Sequence, residues 1–456
     1  MRVKTILAST VAHLDSNVYS GGGTDDTDAL QAVLNEAGED CAVRLIMDGA
    51  ALIHGLRLYS NTTIECLSRD CGFFLMPYCN CPVIRCGDLR KPEFQVRNIQ
   101  LLGGTYNQDC QHQDTVCAEF DTYEPGDFPY DGVLYNDHGP YVLDLYGVRH
   151  LHIDGVTIRN FRAYAVCIDR FEHVTIENTW LELDDPGIPN QDGFHFFGPG
   201  RFLTIRNVGG KCGDDFMNIG SDERDRVSSI TDVLIDGVFL DHATQAIRLL
   251  ARYGGSVERV TIRNVSGTYR NFGFYICPWY MDHHSGRIAD ILIENINLTA
   301  EEYDYDYRNR MLFCVAGIVE NLTIQNVRHN ALTDKRTLLE LGLPYFNVEI
   351  SRQYIDLARR QKLKGITLKG ITILENSNDP IDTDYITVYA QVDSLILKDI
   401  TILKDQNKPN GCLIRFLEEG SIDTLVAQQI FTKGLKNLLS DDNKVAQQLT
   451  NAVFFQ

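Results

Sequence analysis

Apolar and polar residues alternate in short runs along most of the chain, and the runs break at a small polar residue in the same place. The pattern recurs as LHIDGV (151–156), VTIENT (174–179), LTIRNV (203–208), VLIDGV (233–238) and VTIRNV (260–265). It continues as ILIENI (291–296), LTIQNV (322–327), ITLKGI (366–371) and LILKDI (395–400), with VRNI (96–99) as a shorter copy. Strict alternation predicts strands that bury one face. An Asn, Gly or Asp follows two residues after Ile153, Ile176, Ile205, Ile235, Ile262, Ile293, Ile324, Leu368 and Leu397. These three residue types best tolerate positive φ, so the pattern predicts a one-residue left-handed corner between two strands. Most steps between the aliphatic positions are 23 to 31 residues.

A second strand is predicted in each repeat: AVCID (165–169), GFHFF (193–197), FMNIG (216–220), AIRLL (246–250), GFYIC (273–277), FCVAG (313–317), YITVY (385–389) and LIRFL (413–417). A chain that repeats strand, corner, strand winds into a parallel coil, and a helical repeat would show a 3.6-residue period instead. The predicted fold is therefore all-β, a single-domain right-handed parallel β-helix over residues 1–456. Its coils stack at about 4.8 Å, the ordinary strand spacing. GGGTDDTDALQAVLNEAGED (21–40) reads as a Gly-rich turn and an acidic helix start. An amphipathic helix through Ala29, Leu30, Val33 and Leu34 follows and would cap the core. Two steps are long. The stretch 97–153 reads as two coils' worth with an acidic excursion, AEFDTYEPGDFPYDG, placing an insertion within 97–150. The stretch 325–367 reads as an insertion carrying a helix near NVEISRQYIDLARRQ.

Composition narrows the function classes. With 456 residues, 44% hydrophobic, the chain can bury a large core. A formal charge of −20 argues against a nucleic-acid surface, which needs a basic stripe. No stretch approaches the roughly 18 to 20 apolar residues that cross a bilayer. The opening MRVKTILASTVAHLDSN makes a poor signal peptide, because its apolar run is short and ends in His13 and Asp15. Thirteen Cys show no small-domain disulfide framework. The densest cluster, Cys66, Cys71, Cys79, Cys81 and Cys86, lacks a paired CxxC knuckle and a nearby His, so it reads as reduced, buried thiols. A cytoplasmic location is expected, with no cofactor and no metal. The edge strands leave room for self-association into a homo-oligomer.

The chemistry concentrates in NQDGFHFFGPGRFLTIRNVGGKCGDDFMNIGSDE (190–223). Alternation turns Phe194, Met217, Ile247 and Phe274 inward and His195, Asn218, Arg248 and Tyr275 outward on four successive coils. Counting back three residues makes Asp192 and Asp215 equivalent on adjacent coils, with Asp214 one residue earlier. Stacked coils would gather the three carboxylates within about 5–10 Å. Such crowding pushes proton affinities apart. Hydrolysis of a glycosidic bond needs that: one carboxylic acid protonates the leaving oxygen while carboxylates activate water, the two roles lying roughly 6.5–9.5 Å apart in inverting enzymes. Solvated corner acids are the plainer reading.

NQDG followed by CGDD resembles the Asn-Thr-Asp and Gly/Gln-Asp-Asp signatures of glycoside hydrolase family 28, the polygalacturonases, within the pectin-lyase-like superfamily. The opening GGGTDDTDALQ resembles the N-terminal cap of such enzymes. The resemblance implies Asp214 as general acid, Asp192 and Asp215 as holders of the attacking water, and Asn190 as the residue ordering the first acid. Two departures stand out. The family's Gly-His-Gly is replaced by Thr244-Gln245-Ala246, and Tyr275 and Cys277 occupy the places of its Arg-x-Lys clamp for the substrate carboxylate. A neutral or sparsely charged plant-type sugar is therefore expected rather than polygalacturonate. The expected substrate contacts are Asn190, His195, Asn218, Gln245, Arg248, Tyr275 and Trp279. Trp279 belongs to an aromatic segment with Tyr280, His283 and His284, suited to stacking on sugar faces. Two alternatives share the fold: a lyase whose acids hold calcium, and a non-catalytic carbohydrate-binding β-helix.

Overall fold

The computed structural model describes the chain apart from residues 90, 115–139, 186, 189, 224–226, 279–285, 303–310, 332–336, 343–360, 376–384, 405–410, 434, 436 and 456. The acidic excursion, the expected helix at 347–361 and Trp279 with its neighbours thus lie wholly or largely outside the described residues. The chain divides into two compact units, Met1–Leu234 and Ile235–Gln456. Both are built of parallel strand pairs, and the fold is a right-handed parallel β-helix. That hand is the one right-twisted parallel strands strongly favour for their connections.

The predicted corners are where the sequence put them. Gly155, Asn178, Asn207, Gly237, Asn264, Asn295, Asn326, Gly370 and Asp399 all have φ between 50° and 85°. Beside them the aliphatic positions stack in register. In the first unit the column is Leu45, Ile64, Leu101, Ile153, Ile176 and Ile205. In the second it is Ile262, Ile293, Ile324, Leu368, Leu397 and Ala427. Every member is buried, each large aliphatic one contributing about 1.5–3 kcal/mol. The corner amides also link coils: Asn295 Nδ2 donates to Asn264 Oδ1 (3.2 Å), and Asn326 Nδ2 to Asn295 Oδ1 (3.3 Å). Replacing Asn295 by Val should cost about 1–2 kcal/mol, because a β-branched side chain clashes in the left-handed region. Asn295→Gly should cost less. Urea unfolding midpoints of the two variants check this ordering.

Two readings of spacing are corrected. Asn98 is left-handed but belongs to a different corner: its neighbours Arg97 and Ile99 pair with Arg149 and Leu151, which aligns Asn98 with His150. The stretch 97–153 is one coil step rather than two, since Val96–Leu102 pairs directly with Leu143–Asp154. Length alone had counted the insertion as a coil. The second long step is also a single coil step, because Gln325 pairs directly with Lys369.

A helix spans Thr27–Leu34 and buries Leu30, Val33 and Leu34 beside the strands Cys41–Met47, Ala50–Ile53 and Leu56–Arg57. Its N-cap residue Asp26 is itself buried, accepting from the backbone N–H groups of His13 (2.8 Å) and Leu14 (2.9 Å). The first residues form a strand, Arg2–Leu7, paired with Cys41–Met47. Among the described residues, no helix is long and apolar enough to cross a membrane.

Candidate active site

The acids sit where two adjacent coils of the first unit turn into strands, Phe194–Lys211 and Asp215–Gly220. Register pairs Phe194 with Met217 and His195 with Asn218, so Asp192 and Asp215 occupy equivalent places on neighbouring coils. The backbone carries the same equivalence: Ala165 N–H donates to Asp192 O (2.9 Å) and Gly193 N–H to Asp215 O (2.8 Å). Gly193 is required there, since a Cβ would lie 2.4 Å from the Phe216 carbonyl oxygen.

Asp192 and Asp215 are buried, at 4% and 2% exposure, while Asp214 is half-buried. Cys212 precedes the Asp214–Asp215 pair by two residues and is buried. Burial pushes its thiol well above the ordinary range, and the fields of Asp192, Asp214 and Asp215 push it further in the same direction. All three acids thus lie within electrostatic reach of one buried sulfur. Its Sγ also donates to the Asp214 carbonyl (3.2 Å).

Gln191, the unread residue of the Asn-x-Asp triplet, fastens the two loops. Its carbonyl accepts the N–H groups of Gly213 (2.9 Å) and Asp214 (3.2 Å). Its buried side chain donates to Phe161 O (2.8 Å) and accepts from Ile188 N–H (3.2 Å). Asn190 precedes it in a left-handed conformation, φ 59°. The signal was present: an amide between two expected functional residues, in a loop too tight to leave it exposed.

His195 was expected to face a solvent groove, and it is only 2% exposed. Its ring stacks on Tyr164 at 4.1 Å, which stacks on Tyr141 at 4.7 Å, and Phe197 closes the other side at 4.4 Å. Alternation assigned the correct face but could not show what covers it. His195 Nδ1 lies 2.9 Å from Asp192 Oδ2, and Nε2 lies 2.6 Å from Asn218 Nδ2. When Nδ1 carries the ring proton it donates to Asp192 while the Asn218 amide donates to Nε2. The Asn218 amide also donates to Glu223 Oε2 (3.1 Å), adding a fourth carboxylate that the sequence reading missed. Glu223 lies in a turn after the strand, outside the repeat.

His195→Leu would keep the ring's apolar bulk but leave Asp192 and Asn218 without this partner. The expected result is a loss of about 1–3 kcal/mol in stability, read from urea unfolding. Activity should fall more than in a Tyr141→Phe control, which leaves both hydrogen bonds in place.

The remaining expected contacts lie in the second unit. Register pairs Gln245 with Phe272 and Arg248 with Tyr275, and all of these are buried. Tyr275 is corrected from a sugar contact to a core residue: it is 2% exposed and packs with Phe272, Cys277, Met311, Cys314 and Ala316. The two places where the resemblance expects a cationic clamp are thus filled by a tyrosine and a thiol inside an apolar cluster.

The cysteine cluster is not a gathered donor set among the described residues. Burial pushes Cys86 up to about 12 and raises Cys66 as well, so both are protonated thiols. None of the described cysteines is in a disulfide. One group has the spacing to hold a cation, His152, Asp154 and Glu177, but His152 Nε2 and Glu177 Oε1 already pair at 2.9 Å.

No family model and no curated protein matches the sequence. Solved structures do match. The family 28 exopolygalacturonase of Yersinia enterocolitica superposes with a TM-score of 0.53 at 12% identity, over 98% of this chain and 78% of that one. At this identity the likeness is one of fold, a right-handed parallel β-helix. PfbA, a surface adhesin of Streptococcus pneumoniae, matches with a TM-score of 0.50 at 14% identity, over 96% of this chain and 92% of that one. A β-helix of this kind therefore serves both an enzyme and an adhesin, and only the site can separate those roles.

Proposed function

We propose that the protein is an inverting glycoside hydrolase acting on a neutral, plant-type oligo- or polysaccharide. The observation that supports this reading is the register that sets Asp192 and Asp215 in equivalent places on adjacent coils, with Asp214 one residue earlier. Their exposures differ, with Asp214 half-buried and Asp192 and Asp215 buried. Asp214, the most accessible, would protonate the departing glycosidic oxygen. Asp192 and Asp215, buried in equivalent places, would hold and deprotonate the attacking water. The hydrogen bond from His195 suits an ionised Asp192.

The substrate class follows from the missing clamp. Tyr275 and Cys277 offer no cation to a uronate carboxylate, and the net charge of −20 repels a polyanion. The free thiols fit an enzyme working in a reducing compartment.

A second reading, a non-catalytic glycan-binding β-helix, is favoured by the deep burial of Asp192 and Asp215 and by the adhesin's likeness in fold. Product analysis on neutral and acidic plant oligosaccharides, with and without chelator, separates the readings. A hydrolase releases reducing ends with chelator present and creates no ultraviolet-absorbing product. Unsaturated products that depend on calcium would mark a lyase. Binding without any product would leave the non-catalytic reading.

A further inference from the structure

A second face of the first unit carries a concave groove that the acid site does not use. It encloses about 620 Å³, within the range of small-molecule sites. Two rows of side chains line it, running along the stacking direction of the coils. One row follows the left-handed corner through Asn61, Asn98, His150, His173 and Phe202. The other lies two residues further along each strand, with Thr63, Gln100, His152, Thr175 and Thr204 in unbroken register. With Met1 and Ala42 at one end, the lining spans seven strands, six steps of about 4.8 Å, or about 29 Å.

The corner row is unusual in its residues. Elsewhere this chain fills left-handed corners mainly with Asn, Asp or Gly. Here three successive coils use His150 (φ 57°), His173 (φ 57°) and Phe202 (φ 58°). A bulky residue in that conformation costs on the order of 1–2 kcal/mol. The rings stack on one another, His150 on His173 at 4.9 Å and His173 on Phe202 at 4.7 Å, which returns part of that cost. They nevertheless remain exposed, Phe202 by 42%. Among the described residues, the His150 and His173 rings have only stacking contacts, so their nitrogens are open along the ladder's edge. Strain held at an exposed place is a mark of function rather than of core packing.

The lining carries no Asp, Glu, Lys or Arg side chain, although the chain has 62 acidic and 42 basic residues. It offers hydroxyls, amides and the edges of the His150 and His173 rings at coil intervals, with one exposed phenyl ring beside which the Arg201 guanidinium lies at 5.3 Å. We propose that this groove binds an uncharged glycan chain lying along the coils, at a site separate from the acids. Amides, hydroxyls and imidazoles match a sugar polymer's hydroxyls, and Phe202 offers an apolar surface to a sugar ring. An extended peptide is a poorer fit. The strands beneath the middle of the groove are already paired on both sides, so no main-chain ladder is open to it. The inference stands whether or not the acid site hydrolyses anything.

The test is calorimetric titration with linear hexasaccharides of galactose, arabinose and xylose, and with hexagalacturonate, using an Asp214→Asn background to prevent turnover. The groove variants are His173→Asn and Phe202→Asn. Each installs the residue that Asn61 and Asn98 already use at the same corner, so it removes a ring while suiting the backbone. At least one neutral hexasaccharide should bind, and each variant should weaken it tenfold or more without lowering the unfolding temperature. Hexagalacturonate should bind more weakly than the neutral ligand. Three results would overturn the proposal: no neutral probe binding, binding unchanged in both variants, or unfolding temperatures that fall while affinity holds. The last would make the ladder a structural stack. Groove binding in a parent protein that hydrolyses none of these probes would count against the catalytic reading alone.

Discussion

Asp214→Asn should lower kcat by roughly 10²–10⁴-fold, the usual contribution of a positioned general acid. The urea unfolding midpoint should stay close to that of the parent. Asn keeps the shape of Asp, and two contacts that hold the loop use the Asp214 backbone: its N–H donates to Gln191 O, and its carbonyl accepts from the Cys212 thiol. The half-buried position lets an amide replace the carboxyl without stranding a buried charge. A substrate with a good leaving group, such as a nitrophenyl glycoside, should lose much less, because its departing oxygen needs little protonation. Asp192→Asn should slow both kinds of substrate alike, since water activation is needed in either case. Equal losses with both substrates in Asp214→Asn would remove Asp214 from the acid's role.

Gly193→Ala should damage both the fold and the placing of the acids. The added carbon would sit 2.4 Å from Phe216 O and 2.7 Å from Leu181 Cδ1, and the first of these is backbone that cannot swing aside. Overpacking of this kind costs about 1–3 kcal/mol. The relief available is to spread the two coils, which would lengthen the 2.8 Å bond from Gly193 N–H to Asp215 O and shift Asp192 against Asp215. Activity should therefore fall by more than the loss of folded protein explains. Gly38→Ala is the control, as its new carbon would meet nothing within 4 Å. Urea midpoints and kcat measured on the folded fraction separate the two effects.

Much of this architecture is legible in the sequence for a physical reason. A left-handed corner excludes most side chains, so Gly155, Asn178, Asn207 and their successors announce themselves by residue type. Alternation then fixes which face each strand residue takes, and a constant step fixes which residues are neighbours across coils. Those three rules suffice to place Asp192 beside Asp215 and His195 beside Asn218. They cannot say what covers an outward face. His195 lies under Tyr164 and Phe197, and Tyr275 under Met311 and Cys314, because residues of other coils and turns close over those faces. Gln191 escaped notice because its work is done largely by a carbonyl, which every residue has. Glu223 escaped because it lies in a turn, outside the period. The ladder of His150, His173 and Phe202 did leave a trace, an aromatic residue one place before three successive repeats. A search for corner residues of the usual types passes over it.

The Gln191 carbonyl also bears on when the protein becomes competent during synthesis. It joins an acid on one coil to acids contributed some twenty residues later, so no single turn of the chain holds a working half. A nascent chain that has wound only through Asp192 would carry an unpaired loop and no partner acids. Competence should arrive in one step, once the strand ending at Gly220 docks against its predecessor. On such a scaffold, growing coil by coil, the timing of chemistry is set by the winding of one particular turn.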